Sequence, residues 1–138
     1  MPCARRSERH VIAADPAAVR GLLERLEAGP ALAGLSPAER DCTLLVLAEA
    51  LNNVVEHGYG GGPGWIGLLR GPERAWRIVD AAVPVPQIPV RGMPGGLAEG
   101  GYGWPLIRAL TAEVRLRRRR GLNVLTLRMR PEGRLAAE

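Results

Sequence analysis

Apolar positions recur along this chain with two different periods, and each change of period marks an element. Residues 7 to 13, SERHVIA, read as a first strand, and Asp15-Pro16 then supplies an N-cap followed by proline at the first helical position. Val19, Leu22, Leu23 and Leu26 follow at helical spacing, which predicts a helix to about Ala28, stopped by Gly29-Pro30. A second start signal is Ser36-Pro37-Ala38-Glu39, where N-cap Ser and N3 Glu satisfy each other's backbone amides. From it a long helix is predicted to about Glu56 or His57, with Gly58 as its stop.

WIGLLR (65 to 70) and RAWRIVDA (74 to 81) are short strands joined by a hairpin-type turn at Gly71-Pro72-Glu73. Residues 82 to 103 are crowded with Pro and Gly and too long for a simple connection, so they read as a lid. Within them VPVPQIPV, 83 to 90, has the proline spacing of a stiff extended segment. Trp104 to Ala112 reads as a short helix, and EVRLRRRR (113 to 120), Gly121 and LNVLTLRMR (122 to 130) read as a closing hairpin. The last eight residues read as a frayed end. The order β-α-α-β-β-loop-α-β-β predicts a single domain of 138 residues with its core at about 8 to 130. It is expected to be a two-layer α/β sandwich, with helices on one face of a mixed, mostly antiparallel sheet.

The long helix raises the chemical question. At about 100° per residue, Leu44, Leu47, Leu51, Val54 and Val55 share one arc and are expected to face the sheet. Glu49, Asn52, Asn53 and Glu56 gather opposite, as on any amphipathic helix with a wet face. Three features oppose that bland reading. Glu49 and Asn53 are spaced i, i+4 and project side by side, a carboxylate beside an amide. Leu45 and Val46 interrupt the polar arc, and the exit Gly58-Tyr59-Gly60-Gly61-Gly62-Pro63-Gly64 holds far more glycine than a C-cap needs.

Composition narrows the setting. All nineteen basic residues are Arg, Phe is absent, and the net charge is +5 with an isoelectric point near 10.5. Such charge permits an acidic partner but does not identify one. Cys3 and Cys42 show no metal or disulfide spacing, and there is neither a signal-type apolar segment nor a run near the ~18 residues of a membrane span. A soluble cytoplasmic protein is expected, with no membrane partner.

Glu-x-x-x-Asn followed by Glu-His-Gly-Tyr, in LAEALNNVVEHGY, resembles the N-box of the GHKL ATPases, in the form seen in anti-sigma-factor serine-protein kinases of the RsbW type. The resemblance implies a Bergerat, or histidine-kinase-like ATPase, fold. It implies ATP and Mg²⁺ as cofactors, Asn53 as the metal ligand and Glu49 as the base that activates an incoming hydroxyl. Chemically this is apt, because Mg²⁺ takes few protein ligands and relies on phosphate oxygens and water.

The partner motifs follow in order. Asp80, at the end of WRIVDAAVPV, matches the family's Asp that accepts from the adenine amino group. Ala82 stands where the family has glycine, so its methyl is expected to crowd the nucleotide. GLAEGGYGWPLIRALTAEV resembles the second glycine box, in which Gly100, Gly101 and Gly103 let backbone amides approach the triphosphate ahead of a helix N-terminus. Thr126 resembles the closing-strand Thr that assists the Asp at adenine.

The resemblance spans roughly residues 8 to 130. It implies a kinase of a STAS-domain anti-anti-sigma factor that also sequesters a sigma factor or similar target, commonly as a homodimer. An ATP-gated binding module without catalysis is the rival reading, and an Arg-rich interaction domain with no nucleotide site is a second. Arg117 to Arg120 alternate faces if they form a strand and have no stacking aromatics, so no direct nucleic-acid contact is expected. His57 suits a helix C-terminus through the dipole, and Arg108 lies one turn beyond the glycine box, where it is either a phosphate contact or solvated.

Overall fold

The structure is a computed structural model that describes residues 8–83 and 103–131. Five strands, β1 (Arg9–Ala13), β2 (Trp65–Arg70), β3 (Ala75–Asp80), β4 (Thr111–Arg119) and β5 (Leu122–Met129), form one sheet in the order β1-β2-β3-β5-β4. Every pairing in it is antiparallel. Three α-helices, α1 (Pro16–Ala28), α2 (Pro37–Asn53) and α3 (Gly103–Leu110), complete the α/β sandwich. α3 gives way to β4 at Thr111, two residues before the predicted start of that strand.

Local chemistry fixes the helix starts as the residue pattern requires. Asp15 Oδ1 accepts from the Ala18 amide at 2.8 Å, and Ser36 and Glu39 close a reciprocal capping box at 3.1 Å in both directions. Each cap contributes about 1 kcal/mol. Glu39 also pairs with Arg74, which joins the start of α2 to the β2–β3 turn. In that turn Glu73 and Arg74 both adopt positive φ, and Glu73 is held by Arg128 of β5 at 2.6 Å.

Strand alternation sorts the sheet into two faces. Ile12, Ile66, Leu68, Trp76, Ile78, Leu125, Leu127 and Met129 point inward and share one core with Val19, Leu22 and Leu26 of α1, Leu47 and Leu51 of α2 and Ile107 of α3. Burying each such aliphatic side chain is worth about 1.5–3 kcal/mol, so this core is the main term holding α2 in place. Among the described residues no helix covers the other face, where Val11 and Trp65 are exposed.

α2 is buried on more than its predicted sheet-facing arc. Leu47, Leu51, Val54 and Val55 are in the core as expected, whereas Leu44 is half-buried beside α1. Val46 and Ala50 are fully enclosed as well, because α3 packs along that side. Glu49 and Asn53 therefore lie on the border between the α3 contact and solvent, both half-buried.

Candidate functional site

Regular α-helix ends at Asn53, and the backbone widens into a π-turn over Val54–Gly58, closed by a hydrogen bond from Tyr59 N to Val54 O at 2.9 Å. The continuous helix predicted to Glu56 or His57 is thus interrupted directly after the N-box Asn. Such wide turns concentrate at functional sites because they re-aim the residues around them. Gly60 and Gly61 follow with φ of 61° and 79°, a region where a side chain is strained, which accounts for part of the glycine run.

Tyr59 ties this exit to the sheet. Its hydroxyl donates to Trp65 O at 2.8 Å and accepts from Ala81 N at 2.9 Å, so it links the start of β2 to the end of β3. Its ring packs where a Cβ on Gly64 would sit, which requires glycine there.

The second glycine box meets the N-box at one described residue. A Cβ on Gly103 would lie 2.6 Å from Glu49 Oε2 and 3.4 Å from Asn53 Nδ2, so the first residue of α3 rests against both side chains. Asn53 Nδ2 is buried with no hydrogen-bond partner among the described residues. Gly100, Gly101 and residues 84–102 of the expected lid lie outside the described residues.

These residues suit magnesium held together with phosphate. A half-buried amide whose Nδ2 is enclosed and unengaged, beside a carboxylate, offers one or two oxygen ligands, since a half-turn of the amide exchanges Nδ2 for Oδ1. Among the described residues no three His, Cys, Asp or Glu gather into an all-protein cage. A Mg²⁺ ion there would depend on phosphate and water for most of its shell, its usual habit.

A second cluster forms where β3 ends. Asp80 is 3% exposed, and its Oδ1 accepts from Ala82 N at 2.9 Å and from Asn123 Nδ2 at 2.7 Å. Asn123 also donates to Ala82 O at 3.0 Å, and its Oδ1 accepts from Arg118 Nη1 at 3.0 Å.

Two expectations need correction here. Thr126 is not beside Asp80: it pairs with Arg77 of β3 and Arg115 of β4, on the opposite face of the sheet. The residue facing Asp80 across the β3–β5 ladder is Asn123, three positions earlier and inward by the same alternation that buries Leu125 and Leu127. Ala82, expected to crowd the nucleotide, is 2% exposed, and its methyl lies 3.2 Å from where a Cβ on Gly58 would stand. The space left by one missing side chain takes the extra one.

The architecture and the order of these clusters match a known domain. A family model described as the histidine kinase-like ATPase domain covers residues 12–129. The chain belongs to this family. It is accordingly an ATP-binding, kinase-like domain, and its sheet, helices and motif order are those of the GHKL-type fold. Comparison with curated proteins finds no match. Among the described residues no helix is long and apolar enough to cross a membrane, and Cys42 is a free thiol.

Proposed function

We propose that this ATPase-family domain is a serine/threonine-protein kinase of the anti-sigma type. It binds Mg-ATP between the C-terminal half of α2 and the segment entering α3, and transfers the γ-phosphoryl group to a Ser or Thr hydroxyl of a STAS-domain anti-anti-sigma factor. In its other binding state it holds a sigma factor or similar target, and it acts as a homodimer. The observation that carries the nucleotide part is the junction of Glu49, Asn53 and Gly103, with the buried Nδ2 of Asn53 unengaged beside a carboxylate.

Each residue has a definite task in this reading. Glu49 accepts the proton of the incoming hydroxyl as its oxygen forms the new bond to the γ-phosphorus; the bond to the bridging oxygen breaks, and ADP departs with that electron pair. Asn53 would hold the Mg²⁺, which neutralises charge on the phosphate oxygens. Gly103 keeps the first turn of α3 close to both side chains, where its amides face the anion. Asp80 presents a carboxylate oxygen to the exocyclic amine of the base.

The rival reading, an ATP-gated binding module without transfer, drew its support from the alanine in the first glycine box. The packing of the Ala82 methyl onto Gly58 supports the kinase reading over it. Incubation with labelled Mg-ATP and a STAS-domain partner separates the two. The kinase reading expects label on the partner with wild type and none with Glu49→Ala. Bound ATP without transfer in wild type rejects the kinase, and no bound ATP rejects both.

A further inference from the structure

The run Arg117–Arg120 is not one basic feature. Sheet alternation turns Arg117 and Arg119 outward and Arg118 inward, opposite Asn123 in the β4–β5 ladder. Arg118 is solvent-exposed along much of its length, yet its Nη1 reaches Asn123 Oδ1 at 3.0 Å and lies 3.5 Å from Ala82 O.

That contact completes the hydrogen bonding of a buried amide and anchors its oxygen. A guanidinium only donates, so the atom of Asn123 that meets it must be the oxygen. Both hydrogens of Nδ2 are then committed, one to Asp80 Oδ1 at 2.7 Å and one to Ala82 O at 3.0 Å. With Ala82 N also donating to Asp80 Oδ1 at 2.9 Å, that oxygen carries two hydrogen bonds. The other oxygen of Asp80 accepts none from the described residues.

We propose that Arg118, acting through Asn123, is a positioning residue for purine selectivity. By locking one oxygen of Asp80 to the protein, the pair leaves a single fixed acceptor for the base. This rests on the reading in which Asp80 faces the base of bound ATP. An acceptor held in one direction favours the 6-amino group of adenine, which donates, and opposes the 6-oxo group of hypoxanthine or guanine, which presents a second acceptor. Without Arg118 the oxygen of the amide loses its donor, and Asn123 is held only by the two bonds that its Nδ2 makes. The carboxylate is then held less firmly in its one direction, and the discrimination weakens.

The test compares ATP with ITP, its 6-oxo counterpart, by titration calorimetry on the full chain with Mg²⁺. Wild type is expected to favour ATP. In Arg118→Ala, ATP affinity should fall about tenfold, the scale of one charge-assisted hydrogen bond, while ITP affinity holds, so that the ratio narrows by the same factor. Arg118→Lys, which keeps one donor, should recover part of that ratio. Thermal unfolding should change little, because the side chain is exposed. An unchanged ATP/ITP ratio in Arg118→Ala, or equal loss of both nucleotides, overturns the positioning role while leaving the ATP site intact. Failure of wild type to bind either nucleotide overturns the nucleotide reading itself.

Discussion

Asp80 and Asn53 differ in how far the described residues satisfy their hydrogen bonds. One oxygen of Asp80 accepts twice, and the amide that serves it is itself held by Arg118. Asn53 Nδ2, also shut off from solvent, has no partner among the described residues. A buried donor left unmade costs about 1–3 kcal/mol, whereas a closed network holds its members in one arrangement. In the proposed reading the difference divides the labour: the protein finishes one oxygen of Asp80 and so aims the other at the base, whereas the α2–α3 end is left unfinished, for Mg²⁺ and phosphate.

The contrast is broken most severely at the carboxylate of the unfinished end. Glu49→Gln keeps the shape and removes the base, so phosphoryl transfer to a STAS-domain partner should fall by about 10²–10⁴-fold. Nucleotide affinity, read by calorimetry, should stay close to wild type; parallel loss of binding and transfer would assign Glu49 to binding alone. Gly103→Ala attacks the same end from α3. Its methyl would stand 2.6 Å from Glu49 Oε2 and push that carboxylate aside. A displacement near 1 Å costs about 10²-fold in turnover, while the unfolding midpoint should move little, since the atom that gives way is the end of a flexible chain.

The finished end is tested by exchanging volume. Gly58→Ala drives a methyl to within 3.2 Å of the Ala82 methyl and should destabilise by about 1–3 kcal/mol in urea unfolding. The double variant Gly58→Ala/Ala82→Gly should return most of that loss. Strictly additive effects would show that the two sites do not share space. The smallest effect is expected at Asn52, which lines an open groove between α1 and α2 rather than the Gly103 junction. Asn52→Ala should change stability by no more than about 0.5 kcal/mol and leave nucleotide affinity as it was.

Most of the fold was legible because local signals agreed. The capping residues Asp15 and Ser36, the prolines behind them and the alternation in WIGLLR and LNVLTLRMR all predict the elements found. Pairing Glu49 with Asn53 followed from helical spacing alone, and the structure brings both against Gly103. Thr126 has the residue type of the family's closing-strand Thr but the wrong parity for that place. Leu125, Leu127 and Met129 mark the inward positions of β5, and on that count Asn123, not Thr126, is the polar residue turned inward toward Asp80.

Other features had no local signature. The π-turn after Asn53 is one, because Val54–Gly58 has the same apolar rhythm a plain α-helix would show. Tyr59 reaches both Trp65 and Ala81, contacts that exist only once β2 and β3 are paired. The direction of the Ala82 methyl was hidden for the same reason, since its neighbour Gly58 lies twenty-four positions earlier.

The central claim is that the amide of Asn53 serves Mg²⁺ bound with nucleotide. Calorimetric titration of ATP with and without Mg²⁺, for wild type and Asn53→Ala, tests it directly. Wild type should bind ATP more tightly with Mg²⁺ present. Asn53→Ala should lose that gain almost entirely, beyond the ~10–100-fold typical of an outer-shell partner, without loss of thermal stability. Magnesium-dependent binding that survives intact in Asn53→Ala would contradict the account.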